Sequence, residues 1–388
     1  MRRTIFVVAA AIVAGLLVGP FGIASAASAP AARAHHHADR VCAKASAGNA
    51  ACEALVQVDA NGKPVANATP SGYGPADIRS AYSLASSSSG GRTVAIVDAY
   101  NDPTAEADLG VYRRTYGLSA CTTANGCFRK VGQTGGAVPS TNAGWAQEIS
   151  LDLDMVSAAC PDCRILLVEA KTASFANLAA GVNYAATQGV SAISNSYGGS
   201  DSSASSAYDH PGIAITASTG DGGYGIESPA SYPTVVAVGG TSLTKSSTAR
   251  GWSETAWSGA GSGCSTLNAK PSWQTSATQC SGKANADVSA VADPNTGVAV
   301  YDSTAYQGSS GWLVFGGTSA SSPIIASVYT LSGNTSGYPA SYTWAHTGSL
   351  NDVKSGSNGT CPTTIWCTSG TGWDGPTGLG TPIGTAAF

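Results

Sequence analysis

The feature that most limits the fold is an alternation that begins beyond Gly91, where short β-branched runs are each followed by a stretch of helical character. Buried strands separated by helices lie side by side and parallel when each intervening helix carries the chain back across the sheet. Residues 93–97 read as the first buried strand, 145–158 as a helix, 164–169 as a strand, 175–187 as an Ala-rich helix and 190–194 as the next strand. Residues 213–217 and 235–238 continue the sheet, and Leu313-Val314 leads into a glycine turn followed by a buried helix over 324–331. The expected class is α/β, with a central, mostly parallel sheet flanked by helices. At 388 residues and with no internal repeat, the chain suits one large domain better than two small ones.

The N-terminal region falls outside this pattern. Arg2 and Arg3 precede an apolar run over 5–18, and Ala24-Ser25-Ala26 supplies a small-residue cleavage pattern, so residues 1–26 read as a signal peptide. Residues 27–72 are Ala-rich and irregular, with His35, His36 and His37 in a row, and are expected to be a short propeptide or N-terminal extension. The main domain then occupies 73–388, and the mature protein is expected outside the cell. Export makes disulfides the natural reading of ten cysteines in five local couples: Cys42 with Cys52, Cys121 with Cys127, Cys160 with Cys163, Cys264 with Cys280 and Cys361 with Cys367. Charged residues make up only 11% of the chain and the net charge is -4, which leaves no electrostatic footprint for nucleic acid or an anionic membrane.

Three segments carry chemistry. In Gly316-Gly317-Thr318-Ser319-Ala320-Ser321-Ser322-Pro323, glycines before the serine permit close backbone approach and an apolar helix follows. Ser319 is then either a nucleophile beside free N–H groups at a helix start or an ordinary capping serine. A nucleophilic serine needs a base, and histidines are scarce: outside the leader only His210 and His346 remain, neither in a catalytic context. Carboxylates are better placed. Glu148 and Asp152, one helical turn apart in an apolar helix, project from one face, and in a cleft they would share a proton. Asp154 belongs to a different face. Asp221, among the glycines of Ser218-Thr219-Gly220-Asp221-Gly222-Gly223, follows a strand end, where α/β enzymes place their sites; a turn-shaping role is the plainer alternative.

Together these segments resemble the sedolisin family of serine-carboxyl peptidases, relatives of the subtilisins, over roughly residues 73–388. The stretch Lys283-Ala284-Asn285-Ala286-Asp287-Val288-Ser289-Ala290, followed by Asp293-Pro294, is also similar to the family's. The resemblance implies a subtilisin-like three-layer fold and a catalytic set of Glu148, Asp152, Asp221 and Ser319. Glu148 would take the Ser319 proton, Asp152 would tune Glu148, and a protonated Asp221 would stabilise the oxyanion. With unperturbed carboxyl pKa values of about 3.9 and 4.3, this implies an optimum on the order of pH 3 to 5 unless burial raises it. It also implies one structural Ca²⁺, with side chains from Asp352 and Asp374 and carbonyls from Val353, Gly370 and Gly372. Expected partners are protein or peptide substrates, met by a monomer, with Ser194-Asn195-Ser196-Tyr197-Gly198-Gly199 resembling the strand edge that pairs an extended peptide. The leader is shorter than the family's usual propeptide. Two rival readings stand beside this one: a neutral peptidase built on Asp98, His210 and Ser319, and a non-catalytic peptide-binding protein on the same fold.

Overall fold

The computed structural model describes Met1, Thr4 and residues 37–388. Apart from Met1 and Thr4, the segment read as a signal peptide lies outside the described residues, as do His35 and His36. Three short strands come first, β1 (His37–Arg40), β2 (Ala51–Cys52) and β3 (Leu55–Val58), then helix α1 (Pro75–Ala81). The alternation follows as β4 (Thr93–Ala99), α2 (Ala105–Thr115), β5 (Phe128–Gly132), α3 (Ala143–Ala159), β6 (Arg164–Ala170), α4 (Phe175–Ala186) and β7 (Ala192–Asn195). Next come β8 (Tyr197–Ser200), β9 (Ala214–Ser218), β10 (Glu227–Ser228), β11 (Val236–Lys245) and β12 (Trp252–Ala256). After them, β13 (Gly263–Ala269), β14 (Gly282–Asn285), β15 (Val288–Val291), β16 (Val298–Tyr306) and β17 (Ser309–Gly316) lead into α5 (Thr318–Ser332).

The central sheet has eight strands in the order β12-β11-β9-β7-β4-β6-β5, with β15 also pairing β11. All its pairings are parallel except that of β11 with β12. Its middle strand explains the layers. Alternate residues of a strand face opposite sides, and in β4 Val94 and Ile96 join the core cluster containing Ile149 and Ile324, whereas Ala95 and Val97 join the one containing Val182 and Ala185. Helices α3 and α5 therefore cover one face and α4 the other, as the apolar runs predict. Burying one side chain such as Ile149 contributes roughly 1.5–3 kcal/mol, which is why the sheet needs both faces covered.

Each of the five cysteine couples forms a disulfide in the pairing that sequence proximity favours. Among the described residues no helix is long and apolar enough to cross a membrane. Residues 37–58 depart from the irregular leader that composition suggests. Strand β1 pairs β3, β3 pairs β17, and β2 pairs β8 at the carboxyl end of the central sheet. The reason is largely non-local: β1 is held by β3, but the strands that order β2 and β3 lie more than a hundred residues further along the chain.

Candidate active site

Helix α3 starts where Asn142 accepts a hydrogen bond from the Trp145 N–H at 3.1 Å, satisfying one of the unpaired N–H groups of the first turn. That start fixes the rotation of the helix. Glu148 and Asp152 then face α5, which packs against α3 on the same side of the sheet, and both carboxyls are fully buried. Helix α5 begins directly after Gly317, whose φ of +97° lies in the region only glycine enters freely. Ser319 is its second residue, so its N–H is one of the donors a helix start leaves free. Pro323 removes the N–H that would have reached the Ser319 carbonyl, and Ser196 Oγ lies 3.4 Å from that oxygen.

Ser319 Oγ donates to Glu148 Oε2 at 2.8 Å and lies 3.3 Å from the Ser196 carbonyl. Ser196 Oγ in turn donates to Asp152 Oδ1 at 2.8 Å. The buried oxygens left without a donor are Glu148 Oε1 and Asp152 Oδ2, one on each carboxyl. A single proton held between the two groups would supply both. Burial raises the Glu148 carboxyl well above the ordinary range, helped by Asp152 and Asp98 and opposed by the Ser319 hydrogen bond. Burial likewise raises Asp152, with Asp98 adding to it. Asp98 sits at full burial with neither oxygen hydrogen-bonded, a third carboxyl behind the pair.

Asp221 comes from the loop after β9. Its Oδ1 accepts from the Thr318 N–H at 2.7 Å and the Thr318 hydroxyl at 2.8 Å, while Oδ2 has no donor. Burial pushes its pKa up to about 7, although Arg40 and the Thr318 bonds pull the other way. A carboxyl that keeps its proton to near pH 7 can donate it to a developing oxyanion.

The structure thus brings Glu148, Asp152, Asp221 and Ser319 to one place. It does not bring the histidines there. His210 Nε2 lies 3.2 Å from Asn183 Oδ1 at the surface, and His346 Nδ1 lies 2.7 Å from the Tyr342 carbonyl. Asp154 is engaged elsewhere, accepting from the Tyr301 N–H at 2.9 Å. Near the C-terminus both metal-candidate carboxylates close on one turn. Gly372 donates its N–H to Asp352 at 3.1–3.2 Å and Gly370 donates to Asp374 at 3.2 Å. Lys354 Nζ stands 3.6 Å from Asp352. Among the described residues no cluster of three acidic, histidine or cysteine side chains could hold a metal, so any ion here depends on backbone carbonyls.

Sequence reasoning missed the segment that crosses this site. Glu53 donates its N–H to the Ser196 carbonyl at 3.2 Å, and its own carbonyl accepts from the Ser319 N–H at 3.3 Å. The signals present were the Leu55-Val56-Gln57-Val58 run, typical of a strand, and the cysteines that bracket residues 42–52.

Comparison with known proteins adds to this geometry. A family model described as the subtilase family matches residues 132–354. Kumamolisin of a Bacillus species is 30% identical over 363 residues, covering 82% of this chain and 63% of the relative. Sedolisin of a Pseudomonas species is 34% identical over 176 residues, covering 40% of this chain and 29% of the relative. The chain therefore spans less than two thirds of the length of these relatives. A solved structure of Pseudomonas sedolisin, a serine-carboxyl proteinase complexed with two molecules of pseudo-iodotyrostatin, superposes with a TM-score of 0.67 at 25% identity. That match covers 81% of this chain and 96% of the other.

Proposed function

Because this chain belongs to the subtilase family, in its sedolisin branch, we propose that it hydrolyses peptide bonds as an acid-acting serine peptidase, through an acyl-enzyme on Ser319. The observation that carries the reading is the 2.8 Å bond from Ser319 Oγ to a buried carboxyl, Glu148, in place of a histidine. Glu148 takes the hydroxyl proton as Ser319 attacks the substrate carbonyl. Asp152 holds the proton shared with Glu148, so one negative charge and not two is buried at the pair. Asp221 donates from Oδ2 to the oxyanion, beside the Ser319 N–H. The leaving amine takes its proton from Glu148, and water releases the acyl group by the same route.

The pH range follows from these roles. Activity falls above about pH 7 as Asp221 loses its proton, and falls in stronger acid when both carboxyls of the pair are protonated and no base remains. Burial therefore moves the working range upward from the unperturbed pH 3 to 5. Extended peptides pair with β8 through main-chain bonds, so many sequences are accepted.

An exported protein is supported by the leader pattern of residues 1–26 and by the five disulfides. Domain boundaries at 1–26, 27–72 and 73–388 belong to the same reading. Asp352 and Asp374 on one turn, with the carbonyls of Val353, Gly370 and Gly372, form a donor set suited to Ca²⁺. A bound ion there would supply positive charge that ties the C-terminal loops together. Casein hydrolysis in the acid range tests the central reading: wild type cleaves, Ser319→Ala does not, and equal rates for the two overturn it.

A further inference from the structure

Beyond the catalytic set, the carboxyl ends of β5 and β6 border a second pocket of about 350 Å³, lined in part by Gln133, Val138, Pro139, Glu169 and Lys171. In the sheet Glu169 stands between Asp98 of β4 and Gly132 of β5. Gly132 lets the loop that follows it pack close, since a Cβ there would strike the Ala137 carbonyl. Glu169 is fully buried yet forms part of the pocket wall. Its Oε1 accepts the Asp102 N–H at 2.9 Å and lies 3.7 Å from Lys130 Nζ, which the Asn101 side chain and the Asp102 carbonyl hold in place. Its Oε2 has no partner. Lys171 is exposed at the rim, and its N–H donates to Gln133 Oε1 at 3.0 Å, which leaves the Gln133 amide N–H groups to donate to a ligand. Val138, 42% exposed, and Pro139 add an apolar side. Two residues past Lys171, the Ala173 carbonyl accepts the Ala50 N–H at 2.8 Å, so the pocket neighbours the edge along which residues 50–53 reach Ser319.

We propose that this pocket binds a carboxylate carried on a short aliphatic stem, with Glu169 Oε2 at its floor as hydrogen-bond donor and Lys171 at its rim as counter-charge. The chemistry around Glu169 selects that ligand. The charged and titratable groups about it are Asp98 on β4, Lys130 on β5, Asp102 in the loop after β4, and Lys171. Asp98 in turn stands against Glu148 and Asp152 on α3. Burial pushes the Glu169 pKa up to about 7, with Lys130 and the Asp102 N–H opposing and the Asp102 charge adding. In the acid range the carboxyl is therefore protonated. Because Oε1 already accepts a hydrogen bond, the proton sits on Oε2, a buried donor that lacks an acceptor. A cationic ligand would meet two lysines and a neutral acid. A carboxylate meets a donor at the floor and an ammonium at the rim, while Val138 and Pro139 suit its methylene groups. Such a group is the side chain of a glutamate or aspartate in a peptide, or a free short-chain carboxylate. Above about pH 7 Glu169 ionises, the donor is lost and like charge repels the ligand.

The test titrates the full chain with butyrate by calorimetry at about pH 5.5, where butyrate is largely ionised, and at about pH 8.5, where Lys171 is still charged. Wild type is expected to bind at one site in acid and to lose roughly tenfold or more in affinity at the higher pH, the fold-change for one charge-assisted bond. Glu169→Gln keeps a donor that cannot ionise, so its affinity should be nearly the same at both. Lys171→Ala, a change at an exposed position, should weaken binding by roughly tenfold at both. A second arm compares kcat/KM for matched peptides with Glu or Gln at each position before the cleaved bond, at about pH 5.5. A Glu preference in wild type that Lys171→Ala removes identifies the substrate's side chain as the source, and equal rates with butyrate still bound identify a free carboxylate. No butyrate binding together with no Glu preference overturns the inference, as does wild-type binding that is unchanged between the two pH values; cleavage of the peptides then leaves the peptidase reading standing. Absence of cleavage overturns that reading while the titration still judges the pocket. Should Glu169→Gln fail to fold, Lys171→Ala and the wild-type pH series decide.

Discussion

Asp221 spends one oxygen on Thr318 and keeps the other free: Oδ1 accepts both the N–H and the hydroxyl of Thr318, at 2.7 and 2.8 Å, while buried Oδ2, beside Gly317, has no donor. Under the proposed mechanism, this division orients the carboxyl and leaves Oδ2 for the reacting carbonyl. Asp221→Ala is expected to lower kcat by roughly 10²–10³, the usual cost of one oxyanion donor, with little change in KM. Asp221→Asn keeps a donor that cannot ionise, so its rate should hold above pH 7 where wild type declines. A kcat profile across pH for the three proteins checks this, and identical alkaline limbs for wild type and Asp221→Asn would contradict it.

The Thr318 hydroxyl favours the charged form of Asp221, since a donor to a carboxylate lowers its pKa. Thr318→Val should therefore raise the Asp221 pKa and move the alkaline limb upward. The variant also loses the bond that Gly220 N–H makes to the Thr318 hydroxyl at 3.2 Å, at a cost of about 1 kcal/mol in stability. A limb that shifts downward would mean that Asp221 is not the group being titrated.

Buried carboxyls also set how stability changes with pH. Burial pushes Asp221 up to about 7 and Asp302 up to about 8, against about 3.9 for an aspartate in an unfolded chain. The folded state binds these protons more tightly. Its advantage is complete below about pH 4 and is lost as pH rises through the folded values. Calorimetry should give a higher melting temperature at pH 4 than at pH 8, and the reverse order would show that other groups dominate.

Calcium dependence is read from folding and not from activity. If Asp352 and Asp374 hold an ion with the neighbouring carbonyls, added Ca²⁺ at about a hundred times Kd stabilises the fold by roughly 2.7 kcal/mol. That raises the melting temperature by several degrees. Asp352→Ala and Asp374→Ala should each abolish the increment; Asp352→Ala leaves the metal-free melting curve nearer wild type, whereas Asp374→Ala also lowers it, because buried Asp374 accepts from Ser369, Gly370 and Thr377. A full increment in Asp352→Ala would place the ion elsewhere.

The parts of this molecule visible in its sequence are those fixed by local spacing. The β4 strand shows as a β-branched run because both its faces are buried, and the Glu148 and Asp152 pair shows because four residues make one turn of α3. Boundaries shift where the pattern is weak: the strand expected over 190–194 begins at Ala192, after a turn that brings Val190 into the core. What stays hidden is set by distant partners. Nothing near Glu53 indicates that its carbonyl meets the Ser319 N–H, 266 positions along the chain. Asp98 shows the same limit, since a strand-end aspartate invites a pairing with histidine, whereas the fold leaves it buried behind two other carboxyls.

The central claim is that a carboxylate, Glu148, and not a histidine, activates Ser319. The direct test is the rate of casein hydrolysis across pH for wild type, Glu148→Gln and His210→Ala. The predicted result is an acid-range bell for wild type and His210→Ala alike, with Glu148→Gln reduced by roughly 10³ or more throughout, as for loss of a general base and its shared proton. A Glu148→Gln enzyme with wild-type kcat at the optimum, or a neutral optimum abolished by His210→Ala, would contradict the account.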